Sequence, residues 1–169
     1  YFTKRGATLG KKSWQVGYIN YAADKKAHQA NFRRYADWIV ACQPEGKLLD
    51  VGCAYGFFLD STRQKGFEVT GIDVSDVAIG WMQENLDIRG FVGMLDDLPA
   101  AERYDVVTGS EVIEHIPDPA KFLQEIRERL NVGGCIALAT GDCESLLARL
   151  LGRRWWYINP PSHCVYYTK

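Results

Sequence analysis

The sequence lacks an excess of charge, a long apolar run and a secretory leader, and each absence removes a class of protein. Its 169 residues carry a net charge of −1, too balanced for a dedicated nucleic-acid binder that depends on phosphate contacts. No uninterrupted apolar stretch reaches membrane-spanning length, and no signal-peptide pattern appears. We therefore expect neither nucleic acid nor a membrane as a partner.

The cysteines also lack any paired spacing. There are five, an odd number, and no two form a C-x-x-C motif. This pattern argues against a disulfide framework and against a cysteine zinc site. We expect reduced thiols in a cytoplasmic compartment, with Cys53 and Cys135 acting as small buried apolar side chains.

What the chain does contain is a regular alternation of strand and helix patterns. Apolar residues make up 47% of it, enough for one globular domain with a sizeable core. Apolar periodicity and capping residues predict helices at about 22–42, 57–65, 75–86 and 119–130, and strands at 48–52, 67–72, 91–95, 104–109 and 135–140. This order predicts an α/β fold, a Rossmann-like doubly wound parallel sheet with helices on both faces. Ligands of such sheets bind beyond the carboxyl ends of the strands.

The segment from Leu48 to Gly56, LLDVGCAYG, is the clearest functional signal. Gly52 allows a sharp turn and close approach of a ligand, and Gly56 allows the next helix to pack tightly on the strand. Asp50 ends the strand, where a carboxylate can organise the loop and face a cation. The glycine spacing differs from the dinucleotide motif G-x-G-x-x-G, and no Gly-Lys-Ser/Thr follows as in a phosphate-binding P-loop. Asp73 ends the next strand, where a carboxylate can accept both ribose hydroxyls of a nucleoside.

Five segments in order resemble the motifs of the class I S-adenosylmethionine-dependent methyltransferases of the small-molecule type. They are the turn just described, GIDVS at 71–75, GMLDDLP at 93–99, YDVVTGSEVIEHIPDP at 104–119 and LNVGGCIALAT at 130–140. The resemblance implies S-adenosylmethionine as cofactor and S-adenosylhomocysteine as product. It also implies a single domain with an N-terminal arm and lid helix at 1–44, a cofactor-binding core at 45–142 and the start of a substrate-side segment at 143–169.

The resemblance also implies a role for each site residue. The methionine part of the cofactor would lie against Asp50 and the loop, the ribose against Asp73, the adenine beside Leu95 and Asp96, and the sulfonium beside Ser110 and Glu111. The full set of expected cofactor-binding residues is Asp50, Gly52, Cys53, Ala54, Gly56, Asp73, Val74, Leu95, Asp96, Ser110 and Glu111. Val74, Leu95 and Asp96 have a plainer alternative as packing or solvated loop residues.

Two positions depart from the family pattern. Ala54 stands where the family's motif has its second glycine, which would cost about 1 kcal/mol if the position has a positive φ and nothing otherwise. Met94 stands where many relatives carry an acid, so we expect recognition of the adenine amino group by backbone amides or by Asp96.

His115 and His163 are the candidate catalytic bases, because a hydroxyl or carbon acceptor must lose a proton and histidine titrates near neutral pH. A bracing role for His115 in its loop is the alternative. Glu111, Glu114 and His115 form E-x-x-E-H, and with His163 these residues resemble the magnesium site of small-RNA and some ubiquinone-pathway O-methyltransferases. The same letters occur in relatives with no known metal, so a divalent metal stays an alternative and no ligand is assigned.

The remaining expectations concern the acceptor and the size of the sheet. Aromatic residues, among them Trp155, Trp156 and Tyr157 beyond the fifth strand, favour an apolar or ring-bearing small molecule. The chain does not begin with Met and ends where relatives continue, so we expect a shortened sheet without its last two strands. Whether methylation is on O, N or C, and whether the protein is a monomer or a homodimer, stays open. The alternative functions are a cofactor-binding domain without turnover and a nicotinamide-dependent oxidoreductase, against which the glycine spacing speaks.

Overall fold

The computed structural model describes residues 25–160 and 162–169. The predicted N-terminal arm, and the first residues of the predicted lid helix, lie outside this range. Among the described residues, no helix is long and apolar enough to cross a membrane.

Five parallel strands form one sheet in the order β3-β2-β1-β4-β5, which confirms the predicted doubly wound topology. The strands are β1 Lys47–Val51, β2 Glu68–Asp73, β3 Arg89–Val92, β4 Tyr104–Ser110 and β5 Leu130–Ala139. Because the order reverses between β1 and β4, the connections that follow these two neighbours leave toward opposite faces. Their loops therefore open a crevice at the carboxyl edge of the sheet.

Five α-helices accompany the strands within the described residues: α1 Lys25–Cys42, α2 Phe57–Arg63, α3 Asp76–Leu86, α4 Pro119–Glu128 and α5 Leu146–Leu151. Two predicted caps are confirmed. The hydroxyl of Ser75 accepts a hydrogen bond from the Ala78 amide at the start of α3, and the Asp118 carboxylate accepts one from the Lys121 amide at the start of α4. These caps set where each helix leaves the carboxyl edge.

Alternating side chains of the strands build one apolar layer on each face of the sheet. Leu48 packs in the layer that α1, α2 and α3 cover. Leu49, its neighbour in sequence, packs in the layer that α4 covers with Phe122 and Ile126. Helices therefore lie on both faces, and β1 is buried on both sides, as the continuous apolar run in its sequence predicts.

The third and fifth strands have other bounds than predicted, and one helix was missed. The third strand lies at Arg89–Val92, and Leu95 begins a turn of 3₁₀-helix instead of ending the strand. The fifth strand begins at Leu130, and its pairing shifts between Leu130 and Cys135 because Gly133, with φ of +83°, creates an irregularity inside the strand. Helix α5, which Ser145 caps, was not predicted at all.

Candidate active site

The turn after β1 depends on glycine at two positions, Gly52 and Gly56, which both have φ of +71°. A Cβ on Gly52 would lie 2.5 Å from Cγ2 of Val112 in the loop after β4, and a Cβ on Gly56 would collide with the sulfur of Met82 in α3. The amide of Gly52 donates a hydrogen bond to the carbonyl of Ile72 at 2.8 Å. The two glycines therefore let this turn approach the loop after β4 on one side and α3 on the other.

Ala54 has φ of +47°, so alanine at this position carries the backbone strain that a glycine would avoid, about 1 kcal/mol. The Ala54 amide donates a hydrogen bond of 2.9 Å to Oδ2 of Asp73. The Ser75 amide donates one of 2.8 Å to Oδ1 of the same carboxylate. Asp73 thus ties the turn after β1 to the end of β2, and each of its oxygens keeps a second lone pair for a ligand hydroxyl.

Asp50 lies buried at the end of β1 and is only 5% exposed. Thr108 of β4 donates a hydrogen bond of 2.7 Å to Oδ1 of Asp50. Burial raises the pKa of Asp50 to about 7; the Thr108 hydrogen bond opposes this rise and the nearby Asp73 carboxylate adds to it. A cationic group bound beside the turn would favour the ionised form of Asp50.

Cys53 in the same turn is buried, as expected, and burial holds the pKa of its thiol well above the usual range. A thiol in this state is a poor nucleophile, so Cys53 acts in packing. It forms no disulfide, and neither do the other four cysteines.

The region expected to hold adenine differs in detail from the expectation. The side chain of Leu95 is buried in the core with Ile72, so Leu95 can reach a ligand only through its backbone. Val74 and Met94 are instead exposed, by 44% and 52%, at the ends of β2 and β3. No sequence signal marked the side chain of Met94, because the predicted strand at 91–95 contained it, whereas the observed strand ends at Val92. Asp96 is exposed on the same loop.

The loop after β4 brings carboxyl groups and a histidine to the same edge. Ser110, the last residue of β4, is exposed. Glu111 follows it with φ of +57°, and its amide donates a hydrogen bond to the carbonyl of Ala139 in β5. Partial burial, and then the neighbouring Glu114 carboxylate, raise the pKa of Glu111 to about 7. Glu114 itself is fully buried.

Glu114, His115 and His163 lie close together at this edge. One potential ligand atom from each lies within 4.8 Å of the others, and the two imidazole rings stand edge to face with centroids 4.7 Å apart. The structure thus brings together both histidines that the sequence singled out. Glu111, which the sequence placed with them, does not belong to this group of three.

Backbone carbonyl groups fix the tautomers of both histidines. Nδ1 of His115 lies 2.8 Å from the carbonyl oxygen of Ser162, and Nδ1 of His163 lies 2.7 Å from that of Tyr157. Since a carbonyl only accepts, Nδ1 of each ring carries the proton and Nε2 keeps a lone pair. Metal-binding histidines characteristically have this arrangement, and so do histidines that act as bases through Nε2.

The donor atoms of Glu114, His115 and His163 suit a divalent cation. Oε1 of Glu114 is buried and has no hydrogen-bond partner within the described part of the chain, while Oε2 accepts a hydrogen bond from Thr140. A buried carboxylate oxygen without a partner is costly unless a ligand satisfies it. Two imidazoles and one carboxylate suit Mn²⁺ or Zn²⁺ better than Mg²⁺, which prefers oxygen ligands.

Of the three aromatic residues expected to contact the acceptor, two are buried. Trp155 and Tyr157 are 6% and 2% exposed and stack on each other, whereas Trp156 is 73% exposed. Trp156 is therefore the one whose ring is free to contact a bound molecule. The role of Tyr157 and Thr140 beside Glu114 was not visible in the sequence, where no spacing links them.

Comparison with known proteins places this geometry in context. The model of a family described as a methyltransferase domain matches residues 24–169. The chain is similar to a ubiquinone biosynthesis O-methyltransferase from Nitrosomonas europaea, at 35% identity over 69% of this chain and 53% of the relative. A relative of the same name from Leptothrix cholodnii is 36% identical over 76% of this chain and 60% of its own length. The chain thus spans little more than half the length of these curated relatives.

A solved structure supports the fold. A TehB-like SAM-dependent methyltransferase from Corynebacterium glutamicum superposes with a TM-score of 0.60, at 22% identity over 73% of this chain and 72% of that chain. Its sheet and the present one share their architecture.

Proposed function

This chain belongs to the methyltransferase domain family, and we propose that it transfers a methyl group from S-adenosylmethionine to a small-molecule acceptor. The observation that carries the proposal is the pairing of the strained turn after β1 with a buried carboxylate, in which the Ala54 amide donates a hydrogen bond to Asp73 at the carboxyl edge of the sheet. This turn lacks the glycine spacing of a nicotinamide site, and it stands beside two carboxyl groups, Asp50 and Asp73, where a nucleoside with a cationic tail would bind.

We assign the cofactor contacts residue by residue. Asp73 accepts the ribose hydroxyls, while Asp50 and the backbone of the turn, from Gly52 through Cys53 and Ala54 to Gly56, hold the methionine part. The exposed side chains of Val74 and Met94 flank the adenine, with Asp96 and the backbone of Leu95 at its edge. Ser110 and Glu111 lie next to the sulfonium.

The main contribution of the protein to methyl transfer is to position the cofactor and the acceptor. The methyl carbon forms a bond to the acceptor as its bond to sulfur breaks, and the bonding electrons stay on sulfur. Nε2 of His115 or His163, whose lone pairs the backbone carbonyl groups leave free, takes the proton that a hydroxyl acceptor gives up. The names of the curated relatives favour an acceptor hydroxyl, hence O-methylation.

A divalent cation is a second component of this proposal. Glu114, His115 and His163 would hold it, and when bound it would polarise the acceptor hydroxyl. The unpartnered Oε1 of Glu114 is the observation that favours it. A bound cation would occupy the Nε2 lone pairs of both histidines, so His115 and His163 can supply the base only without the cation. With the cation bound, the polarised hydroxyl would release its proton to solvent.

The cellular compartment, the oligomeric state and the division of the chain belong to the same proposal. Five cysteines that form no disulfide support a cytoplasmic compartment. We propose a monomer or homodimer that acts on a free small molecule, with residues 1–44 as arm and lid helix, 45–142 as cofactor core and 143–169 on the substrate side.

A thermal-shift panel tests the cofactor. S-Adenosylhomocysteine at 100 times its dissociation constant should stabilise the fold by about 2.7 kcal/mol, and NAD should not. Asp73→Asn should abolish the shift, whereas Asp76→Asn, an exposed carboxyl at the start of α3, should retain it. A shift with NAD alone would favour an oxidoreductase, and no shift with either would refute the binding site.

Transfer itself needs a separate assay. Radiolabel from S-[methyl-³H]adenosylmethionine should appear in ring-bearing hydroxyl acceptors. Binding without transfer to hydroxyl, amine or carbon acceptors would identify a cofactor-binding domain without turnover instead.

A further inference from the structure

Tyr157 is connected to two members of the Glu114, His115 and His163 group, to Glu114 through Thr140 and to His163 directly, but it is not a member of that group. Tyr157 is 2% exposed. Its ring stacks on Trp155, and its centroid lies 4.5 Å from the ring centroid of His163. Its hydroxyl and its backbone carbonyl each take part in a short hydrogen bond that leads toward the group. One residue therefore contacts the site through two independent connections.

The hydroxyl connection has a fixed direction. Thr140 donates its only hydroxyl proton to Oε2 of Glu114 at 3.0 Å. The hydrogen bond of 2.7 Å between Thr140 and Tyr157 must then be donated by Tyr157, whose own oxygen accepts from the amide of Gly141 at 2.9 Å. Successive donors thus point from Gly141 through Tyr157 and Thr140 toward the Glu114 carboxylate, and bonds aligned in this way polarise one another.

This chain of donors occupies one oxygen of Glu114 and leaves the other without a partner. Because Oε2 is held by Thr140, Oε1 is the oxygen available to the two histidines. The backbone of Glu114 is held as well, since its carbonyl accepts hydrogen bonds from the amides of Cys164 at 2.7 Å and Val165 at 3.2 Å. The side chain therefore has one orientation relative to the segment that carries His163.

The second connection runs through the backbone of Tyr157. Its carbonyl oxygen accepts the Nδ1 proton of His163, which holds that ring in place and leaves the lone pair on Nε2. The position of the tyrosine ring depends in turn on Gly141, where a Cβ would lie 2.6 Å from ring carbons of Tyr157. Gly141 thus leaves room for the ring at the end of β5.

We infer that Tyr157 is a positioning residue that, through Thr140, holds Glu114 as a polarised carboxylate with Oε1 presented to a divalent cation between His115 and His163. The inference deepens the proposed function and rests on its cation site, not on the cofactor turn. Tyr157 touches neither the cation nor the acceptor, and acts through the two groups it orients.

Titration calorimetry with Mn²⁺ tests whether Tyr157 acts on Glu114 through Thr140. Tyr157→Phe removes only the hydroxyl, Thr140→Val breaks the next link, and Thr140→Ser keeps it. We expect the first two variants each to weaken Mn²⁺ binding about tenfold, as loss of a group behind a metal ligand generally does. Thr140→Ser should bind as the wild type does.

The double variant distinguishes two hydrogen bonds that act in series from two independent contacts. Since both hydroxyls act in series on Oε2, Tyr157→Phe combined with Thr140→Val should bind Mn²⁺ no more weakly than Thr140→Val alone. Tyr166→Phe, a more exposed tyrosine of the same segment, is the matched control and should leave the affinity unchanged. Losses that multiply in the double variant, or equal losses in Tyr166→Phe, would overturn the inference.

Binding of S-adenosylhomocysteine, measured in the same samples, keeps the two proposals distinguishable. We expect it to be unchanged in all of these variants, because Tyr157 and Thr140 lie outside the cofactor turn. A wild-type protein that binds S-adenosylhomocysteine but neither Mn²⁺ nor Zn²⁺ would overturn the role of Tyr157 and leave methyl transfer standing. Mn²⁺ binding without S-adenosylhomocysteine binding would refute the cofactor site alone.

Discussion

At the scale of single residues, the ionisation of Asp50 makes the free energy of unfolding depend on pH. Its carboxyl group is buried at the end of β1, and burial moves its pKa from 3.8 to about 7 in the folded chain. The folded state then binds more protons than the unfolded state between these two values. The contribution of Asp50 to the free energy of unfolding is therefore fully favourable below pH 4 and is lost as the pH rises through 7.

Replacing Asp50 by Asn should remove this dependence, because the amide keeps the shape and does not ionise. We expect the Asp50→Asn variant to gain a few kcal/mol relative to the wild type when the pH rises from about 4 to 8. Urea unfolding of both proteins across this range gives the difference directly. Parallel profiles for the two proteins would show that Asp50 ionises in the fold at its ordinary pKa.

Ala54 is the position where the residue type conflicts with the backbone. At φ of +47°, glycine would remove the strain of the Cβ but would add freedom to the unfolded chain. The balance favours Ala54→Gly by about 0.5 kcal/mol, a rise of roughly 1–2 °C in Tm for a domain of this size. Ala36→Gly in the interior of α1 is the matched control and should lose about 1 kcal/mol. A destabilised Ala54→Gly variant would mean that this φ is not strained for alanine.

The residues that a motif names were predictable, whereas their conformations were not. Asp73 and Gly52 follow buried strands, so sequence alone placed them at the carboxyl edge. The positive φ at Ala54, in contrast, is a property of the turn and leaves no mark on residue type. The exposure of Met94 and the burial of Leu95 likewise depend on whether the third strand ends at Val92 or three residues later.

At the level of elements, strands whose bounds follow from the local sequence were predicted well. Strands whose bounds depend on pairing with distant residues were not. β1 and β4 are apolar runs bounded by turns, and their predicted bounds differ from the observed ones by about a residue. β5 begins earlier than predicted because Leu130 pairs with Tyr104 of β4 before the glycines, a contact invisible to periodicity. Tyr35 of α1 similarly donates a hydrogen bond of 2.6 Å to the carbonyl of Ala137 in β5, across 102 residues of sequence.

The same distinction explains what was found and missed at the active site. His115 and His163 were found because histidine is rare in the chain and each stands near a recognisable segment. Tyr157 was named only as an aromatic residue on the acceptor side. Its link through Thr140 to Glu114 was missed because these residues meet only when the segment after α5 folds back onto the loop after β4. A tyrosine among neighbouring tryptophans gives no indication of which ring is buried.

At the scale of the whole molecule, the candidate site draws on the ends of four strands. The turns and loops at 52–56, 73–75, 93–97 and 110–115 all leave the carboxyl edge of the sheet. Hydrogen bonds already link some of them, such as that from the Gly93 amide to the carbonyl of Asp73 at 2.9 Å. A ligand that spans these segments should oppose their separate local opening, while segments at the amino edge open as before.

Hydrogen exchange with and without S-adenosylhomocysteine therefore has a spatial prediction. Amides at the carboxyl edge should exchange more slowly with ligand, above all that of Ala54, because opening of the turn must first release the ligand and the Asp73 carboxylate together. The connections at 43–46, 64–67 and 100–103, which lie at the opposite edge, are the internal control and should change little under conditions where they open locally. Equal slowing at both edges would indicate general stabilisation without a site, and slowing confined to the amino edge would place the ligand elsewhere. Slowing at 52–56 and 73–75 without 93–97 would mean that the ligand binds through its ribose and tail while Val74 and Met94 make no contact with a base.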